Sequence, residues 1–202
     1  MLAARLLVLL ALAPACADPG DAADGDTSDA ATTVMAAPPV EFWLPLLCGT
    51  RAEVGQGNFS DFSHKGLASH AFDLLLALDT PVVAMAAGVV VHVRDETRPG
   101  DPCHEGGDES CFDLANLVVL RHADGTLSLY KHLNAALVGE GAPVERGALL
   151  GRSGSTGWST RPHLHVMRME DCGGSDCQSL ALEFVEAGVP VTGEFVTAAP
   201  CP

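Results

Sequence analysis

From Phe42 onward, apolar and polar residues alternate in short runs, and no stretch keeps a helical period for long. Pro81-Val82-Val83-Ala84 and Gly88-Val89-Val90-Val91-His92-Val93 are rich in β-branched residues and predict strands. Leu117 to Arg121 and Thr126 to Tyr130 predict two more, flanking His122-Ala123-Asp124-Gly125, whose Asp-Gly pair is a strong hairpin signal. Gly141 to Val144 and Gly147 to Gly151 predict two further short strands joined by a tight turn, with glycines at the corners that a strongly curved sheet needs. After a glycine-rich turn, Pro162 forces an extended entry into His163-Leu164-His165-Val166. Side chains alternate faces in a strand, so His163 and His165 share one face while Leu164 and Val166 anchor the other. Leu182 to Pro202 predicts a closing strand and loop. No internal repeat or second domain emerges, and the pattern predicts a single, mainly β domain.

The first residues follow a different pattern. A basic start at Arg5 precedes the apolar run Leu6 to Ala13, too short to span a bilayer and fit for the core of a secretory signal. Leu12-Ala13-Pro14-Ala15-Cys16 resembles a bacterial lipoprotein signal, in which Cys16 becomes the lipidated N-terminus; ordinary cleavage near Ala15 or Ala17 is the alternative. Residues 1–16 therefore predict a signal peptide. Residues 17–40, with Asp18, Asp21, Asp24, Asp26 and Asp29 and no basic residue, predict a disordered acidic tether. Residues 41–202 remain as the folded domain. The expected location is the periplasm or cell envelope, through a lipid on Cys16, or otherwise secretion.

The formal net charge of −15 argues against an electrostatic grip on nucleic acid or anionic lipid, and leaves a peptide or sugar substrate open. Cysteine usage agrees with export. Apart from Cys16 there are Cys48, Cys103, Cys111, Cys172, Cys177 and Cys201, an even set as expected in an oxidising compartment. Short loops favour Cys103 with Cys111 and Cys172 with Cys177, leaving Cys48 to join Cys201.

Three stretches carry polar chemistry within this apolar frame. Ser63 to Leu76 sends Asp73 into a run of leucines, a costly burial unless the carboxylate is paired or bound to metal. Ser128 to Leu133 places His132 at the end of the second hairpin strand. His163-Leu164-His165 supplies two imidazoles on one face, suited to one metal ligand plus one acid–base or orienting group.

In this order, the three stretches resemble the lysostaphin-type (LytM-type) zinc endopeptidases that cut peptidoglycan. The resemblance runs from Gly55 to Met169 through Thr80-Pro81-Val82, Ala87-Gly88-Val89-Val90, Ala115 to Val119, His122 to Thr126 and Gly141 to Val166. It implies a curved antiparallel sheet of the lysostaphin/LytM peptidase type (a duplicated hybrid motif) with the metal in a groove flanked by loops. It also implies one zinc ion held by Asp73, His165 and an upstream histidine, with His132 and His163 as catalytic histidines that do not bind the metal. The upstream ligand is His64 in a Ser-His pattern, with His70 as the alternative. The implied substrate is a peptidoglycan stem peptide or cross-link. A non-catalytic wall-binding protein or hydrolase activator of the same fold is the alternative function, and a purely structural metal-bound lipoprotein a further one.

The chain departs from the family pattern at several points. Asp79 stands where glycine usually precedes Thr-Pro-Val, Arg161 replaces the glycine before Pro-His-Leu-His, and Lys131 separates Tyr130 from His132. Arg161 and Lys131 are expected to flank the cleft and meet a substrate carboxylate. Trp158 is expected either to stack on substrate or to pack inside. Asp95 to Asp113 predicts an added rim loop. Within it, His104-Glu105 begins like a zincin helix motif but lacks the second histidine, and Gly106-Gly107 opposes a helix.

Overall fold

The computed structural model describes residues 39–199. The expected signal, the lipid site at Cys16, Cys201 and nearly all of the expected tether lie outside the described residues. Those described belong to one compact unit.

The strands are β1 (Arg51–Gln56), β2 (Phe72–Leu75), β3 (Pro81–Val83), β4 (Gly88–Arg94), β5 (Leu117–Arg121), β6 (Leu127–Lys131), β7 (Leu133–Ala136), β8 (Pro143–Val144), β9 (Leu149–Ser153), β10 (Leu164–Met169), β11 (Ser179–Leu180) and β12 (Phe195–Thr197). Only short 3-10 turns, Gly66–Ala68 and Glu109–Leu114, interrupt them among the described residues. A nine-stranded antiparallel sheet runs β12-β1-β2-β10-β6-β5-β4-β8, with β11 on β10, and a three-stranded sheet runs β3-β9-β7. The architecture is mainly β and antiparallel, as the sequence pattern predicts.

Alternation along the central strands buries both faces of the large sheet. Phe72, Leu74, Val118, Leu120, Tyr130, Leu164 and Val166 enter one core. Leu117, Val119, Leu127, Leu129, Met167 and Met169 enter the other. A fully buried aliphatic or aromatic side chain contributes about 1.5–3 kcal/mol, so every second residue locks the strand register. The buried Tyr130 hydroxyl accepts the Met85 N–H at 2.7 Å, tying β6 to the segment after β3.

The Asp124-Gly125 hairpin joins β5 to β6, with Gly125 at φ 81° and Asp124 Oδ1 accepting the Thr126 N–H at 2.9 Å. The strands predicted around Gly141–Val144 and Gly147–Gly151 exist but do not pair with each other. β8 adds to β4 in the large sheet and β9 runs between β3 and β7 in the small one, so the turn between them passes the chain from one sheet to the other. The Gly147 N–H donates to the Ala84 carbonyl at 2.8 Å and pins that turn.

Asp79 adopts φ 62°. This left-handed conformation suits glycine and is tolerated by aspartate. Here the Asn134 side chain donates to the Asp79 carboxylate at 2.9 Å and holds it. The disulfides Cys103–Cys111 and Cys172–Cys177 are formed. Cys48 is also disulfide-bonded.

Candidate active site

A row of cross-strand neighbours lies at the floor of the site. Gln56 on β1 stands opposite Asp73 on β2, Asp73 opposite His165 on β10, and His165 opposite Lys131 on β6. Directly opposed residues in an antiparallel pair project from the same face, about 5 Å apart at Cβ. Four polar side chains remote in sequence thus become neighbours. The face that buries Leu129 and Met167 elsewhere carries this polar row at its end.

His64 reaches the row from the β1–β2 loop and is wholly buried. A backbone carbonyl only accepts, so the His64 Nδ1–H donates to the Gly57 carbonyl at 2.9 Å, leaving Nε2 3.1 Å from Asp73 Oδ1. His165 Nδ1 lies 2.9 Å from the same oxygen. One donor atom from each of His64, Asp73 and His165 falls within 4.8 Å of the others. His163, bridged to Gly154, donates Nδ1–H to the Arg161 carbonyl at 2.8 Å and turns Nε2 to 3.7 Å from Asp73 Oδ1.

His132 lies between β6 and β7 with φ 68°, a left-handed backbone for a non-glycine residue. Such outliers cost about 1–3 kcal/mol and persist where the surroundings over-determine them. Here the Nδ1–H donates to the Thr156 carbonyl at 2.7 Å, and the next residue's N–H donates to the Asn116 carbonyl at 3.1 Å. Thr156 is itself placed by Gly157, whose φ of 81° and approach to Ala115, 2.5 Å from where a Cβ would lie, leave room for glycine alone. The His132 ring centroid stands 4.5 Å from His163 and 6.0 Å from His165.

The charge states follow from these contacts. Burial favours neutral Asp73, but hydrogen bonds from His165 and His64 and the nearby imidazoles outweigh it and hold the carboxyl well below its usual range. Burial, then the neighbouring His163 and His165, push His132 well below 6.5 and keep it neutral. Burial also lowers His165, against its bond to Asp73. His64 moves the other way: burial opposes its proton, but the bond to Asp73 and its charge win and raise the pKa above 6.5.

The donor set fits a divalent metal. With its Nδ1–H committed to Gly57, the neutral His64 ring points a lone pair at an anionic oxygen, so that contact needs either a second proton or a cation. Two imidazoles and one carboxylate also match a catalytic zinc site that keeps an open position. The backbone acceptor behind His64 is the outer partner such ligands carry. His70 is not brought into this group. Its ring packs edge-on against Phe59 at 4.7 Å, and its buried Nδ1 has no partner.

The site opens into a cleft of about 530 Å³. Trp158, half-buried, lines it with its ring 6.4 Å from Phe112, and exposed Arg161 stands at the rim. Lys131 is there too, but its Nζ is 3.0 Å from Asp176 and 4.0 Å from the centre of the Phe112 ring. Burial raises the Asp176 carboxyl, yet the Lys131 charge and hydrogen bond outweigh it and keep it ionised. The two short disulfide loops bring these partners in, since Asp176 precedes Cys177 and Phe112 follows Cys111. The rim loop packs on the glycine turn through the Gly107 N–H to Ser159 and the Gly157 N–H to Cys103. His104 sits in a turn of that loop, outside the metal-ligand group.

Gln56, Asp176 and Phe112 carry no motif signal. Gln56 donates to Asp73 Oδ2 at 2.6 Å and to Ser63 at 2.9 Å, and its own oxygen accepts from Ser60. It thereby occupies one carboxylate oxygen and leaves Oδ1 facing the histidines. Outer partners of this kind are worth about 10–100-fold in metal affinity. Gln56→Ala is expected to weaken zinc binding by that factor in a competitive chelator titration, without change in fold by circular dichroism.

Residues 67–177 match the model of peptidase family M23. Peptidoglycan DD-endopeptidase ShyA of Vibrio cholerae is 35% identical over 102 residues, which are 50% of this chain and 20% of that protein. Lysostaphin of Staphylococcus staphylolyticus is 32% identical over 133 residues, 65% of this chain and 25% of that protein. The chain therefore spans no more than about a quarter of either relative. A mutant catalytic domain of the prophage-encoded M23 protein EnpA from Enterococcus faecalis superposes with a TM-score of 0.51 at 23% identity, covering 68% of this chain and 94% of that one, a likeness of fold.

Proposed function

The chain belongs to peptidase family M23, and from that premise we propose that it is a zinc-dependent endopeptidase hydrolysing amide bonds in peptidoglycan stem peptides or cross-links. One observation carries the reading. The donors of His64, Asp73 and His165 converge at the floor of an open cleft, with His132 and His163 beside them and committed elsewhere through Nδ1.

His64, Asp73 and His165 would hold the metal. When bound, zinc supplies Lewis acidity that activates water near neutral pH and polarises a carbonyl. The free Nε2 of His132, on a ring kept neutral by burial, accepts a proton from the attacking water. The proton that His132 takes from the water goes on to the leaving amine, and His163 Nε2, directed inward by the Arg161 carbonyl, stabilises the developing oxyanion when that nitrogen also carries a proton. Gln56 keeps the Asp73 carboxylate aligned. Trp158 and Phe112 form an apolar wall that limits water on one side of the cleft.

The names of the relatives given above support a peptidoglycan substrate, and envelope placement belongs to the same proposal. So do the signal over 1–16, the tether over 17–40, a lipid on Cys16 and the Cys48–Cys201 pairing. Among the described residues, no helix is long and apolar enough to cross a membrane. The test is zinc content of the purified chain together with chromatography of fragments released from peptidoglycan. One zinc per chain is expected, with peptide release that stops on chelation and returns with zinc. A zinc-loaded chain that binds the wall and releases nothing overturns the enzyme in favour of a binding or activating protein.

A further inference from the structure

The cleft is electrostatically unlike the rest of the molecule. The chain has a net charge of −15, yet its only two lysines, Lys65 and Lys131, both line this cleft together with Arg161. The acids that line it are Asp73 and Asp176, and each is committed, Asp73 to the histidines and Asp176 to Lys131. Lys131 is 5% exposed and spends its charge on Asp176 and the Phe112 face, so it does not present a free cation to substrate.

Lys65 and Arg161 differ. Both are exposed, and among the described residues neither has an ion-pair partner. The Arg161 guanidinium comes within 3.4 Å of the space beside Gly55 on β1. Lys65 directly follows His64, which is bonded to Gly57 just past the same strand. β1 flanks the Asp73–His165 pair on the side away from β6, which carries Lys131. The cleft therefore offers two cations without an ion-pair partner among the described residues, Arg161 beside β1 and Lys65 in the loop after it, while the charge of Lys131 is taken up by Asp176.

Resting on the peptidase reading, we propose that Lys65 and Arg161 form a carboxylate subsite, so that the cleft selects peptides bearing a free carboxylate next to the scissile amide. The guanidinium fork matches a carboxylate in two parallel hydrogen bonds, and the ammonium adds a mobile point charge. Arg161 is the better placed, since its own carbonyl fixes His163 and so ties the subsite to the reacting centre. Exposed pairs of this kind are individually weak, and two together give about tenfold discrimination.

The test uses the zinc-loaded full chain and two dye-labelled peptides that differ only in a free carboxylate or its carboxamide. Binding and cleavage are both measured. The wild type is expected to bind the carboxylate peptide about tenfold more tightly, a ratio that narrows as salt is raised. In the Lys65→Gln, Arg161→Gln double variant the ratio should fall to about one, with zinc content unchanged. A wild type that does not discriminate, or a variant that weakens both peptides equally and keeps the ratio, overturns the subsite. A wild type that discriminates in binding but cuts neither peptide supports the subsite and overturns the hydrolase instead.

Discussion

Asp73→Asn is expected to fold, to lose its zinc on dialysis and to release no peptide. The substitution keeps the size of a side chain that is 5% exposed and retains one oxygen, but it removes the anion on which the histidines converge. Partners one shell further out cost about 10–100-fold in affinity, so deleting a ligand's charge should exceed the upper end of that range. Zinc stoichiometry and a thermal melt with and without zinc check this directly. A second signature is independent of metal. Burial lowers the His64 pKa, and the bond to Asp73 and its charge are the main influences that raise it above 6.5 in the metal-free chain, so in the variant only the backbone contacts to Gly57 and Ala71 oppose burial and the His64 titration moves to lower pH. Wild-type zinc content in Asp73→Asn would remove this carboxylate from the ligand set.

His132→Asn and His163→Ala are expected to give the opposite pattern, keeping zinc while turnover falls by about 10²–10⁴-fold. Asparagine is the better choice at position 132 because it tolerates the left-handed backbone at φ 68°, where alanine adds strain of its own. Neither ring belongs to the close donor group of His64, Asp73 and His165. His132 is anchored to the Thr156 carbonyl, and His163 to that of Arg161. Parallel zinc assays and muropeptide release on the two variants separate the roles. Loss of zinc in either would make that histidine a ligand.

The contrast between His64 and His70 shows how far local pattern reaches. Both precede Asp73 within a few residues, and spacing alone leaves either free to face it. The loop after β1 decides, because the Gly57 carbonyl holds the His64 ring and Phe59 packs on that of His70. Lys131 shows the same limit. As a departure from the family pattern beside His132 it reads as a cleft cation, but the chain elsewhere supplies Asp176 and Phe112 to absorb its charge. The strands at β8 and β9 are legible as strands, whereas their separation into two sheets is not.

What the amino-acid order determined by itself is what depends on neighbours along the chain. Two-residue alternation, β-branched runs and the Asp124-Gly125 turn specify strands and a hairpin, and His163-Leu164-His165 specifies two imidazoles on one face. Short loops likewise specify which cysteines can meet. Only the tertiary structure decided that β1, β2, β10 and β6 lie side by side in register, so that Gln56, Asp73, His165 and Lys131 form one row. The physical reason is that strand order is set by how two apolar faces are buried over the whole sheet. A polar row at the end of one of those faces exists only once the strands that carry it are packed together.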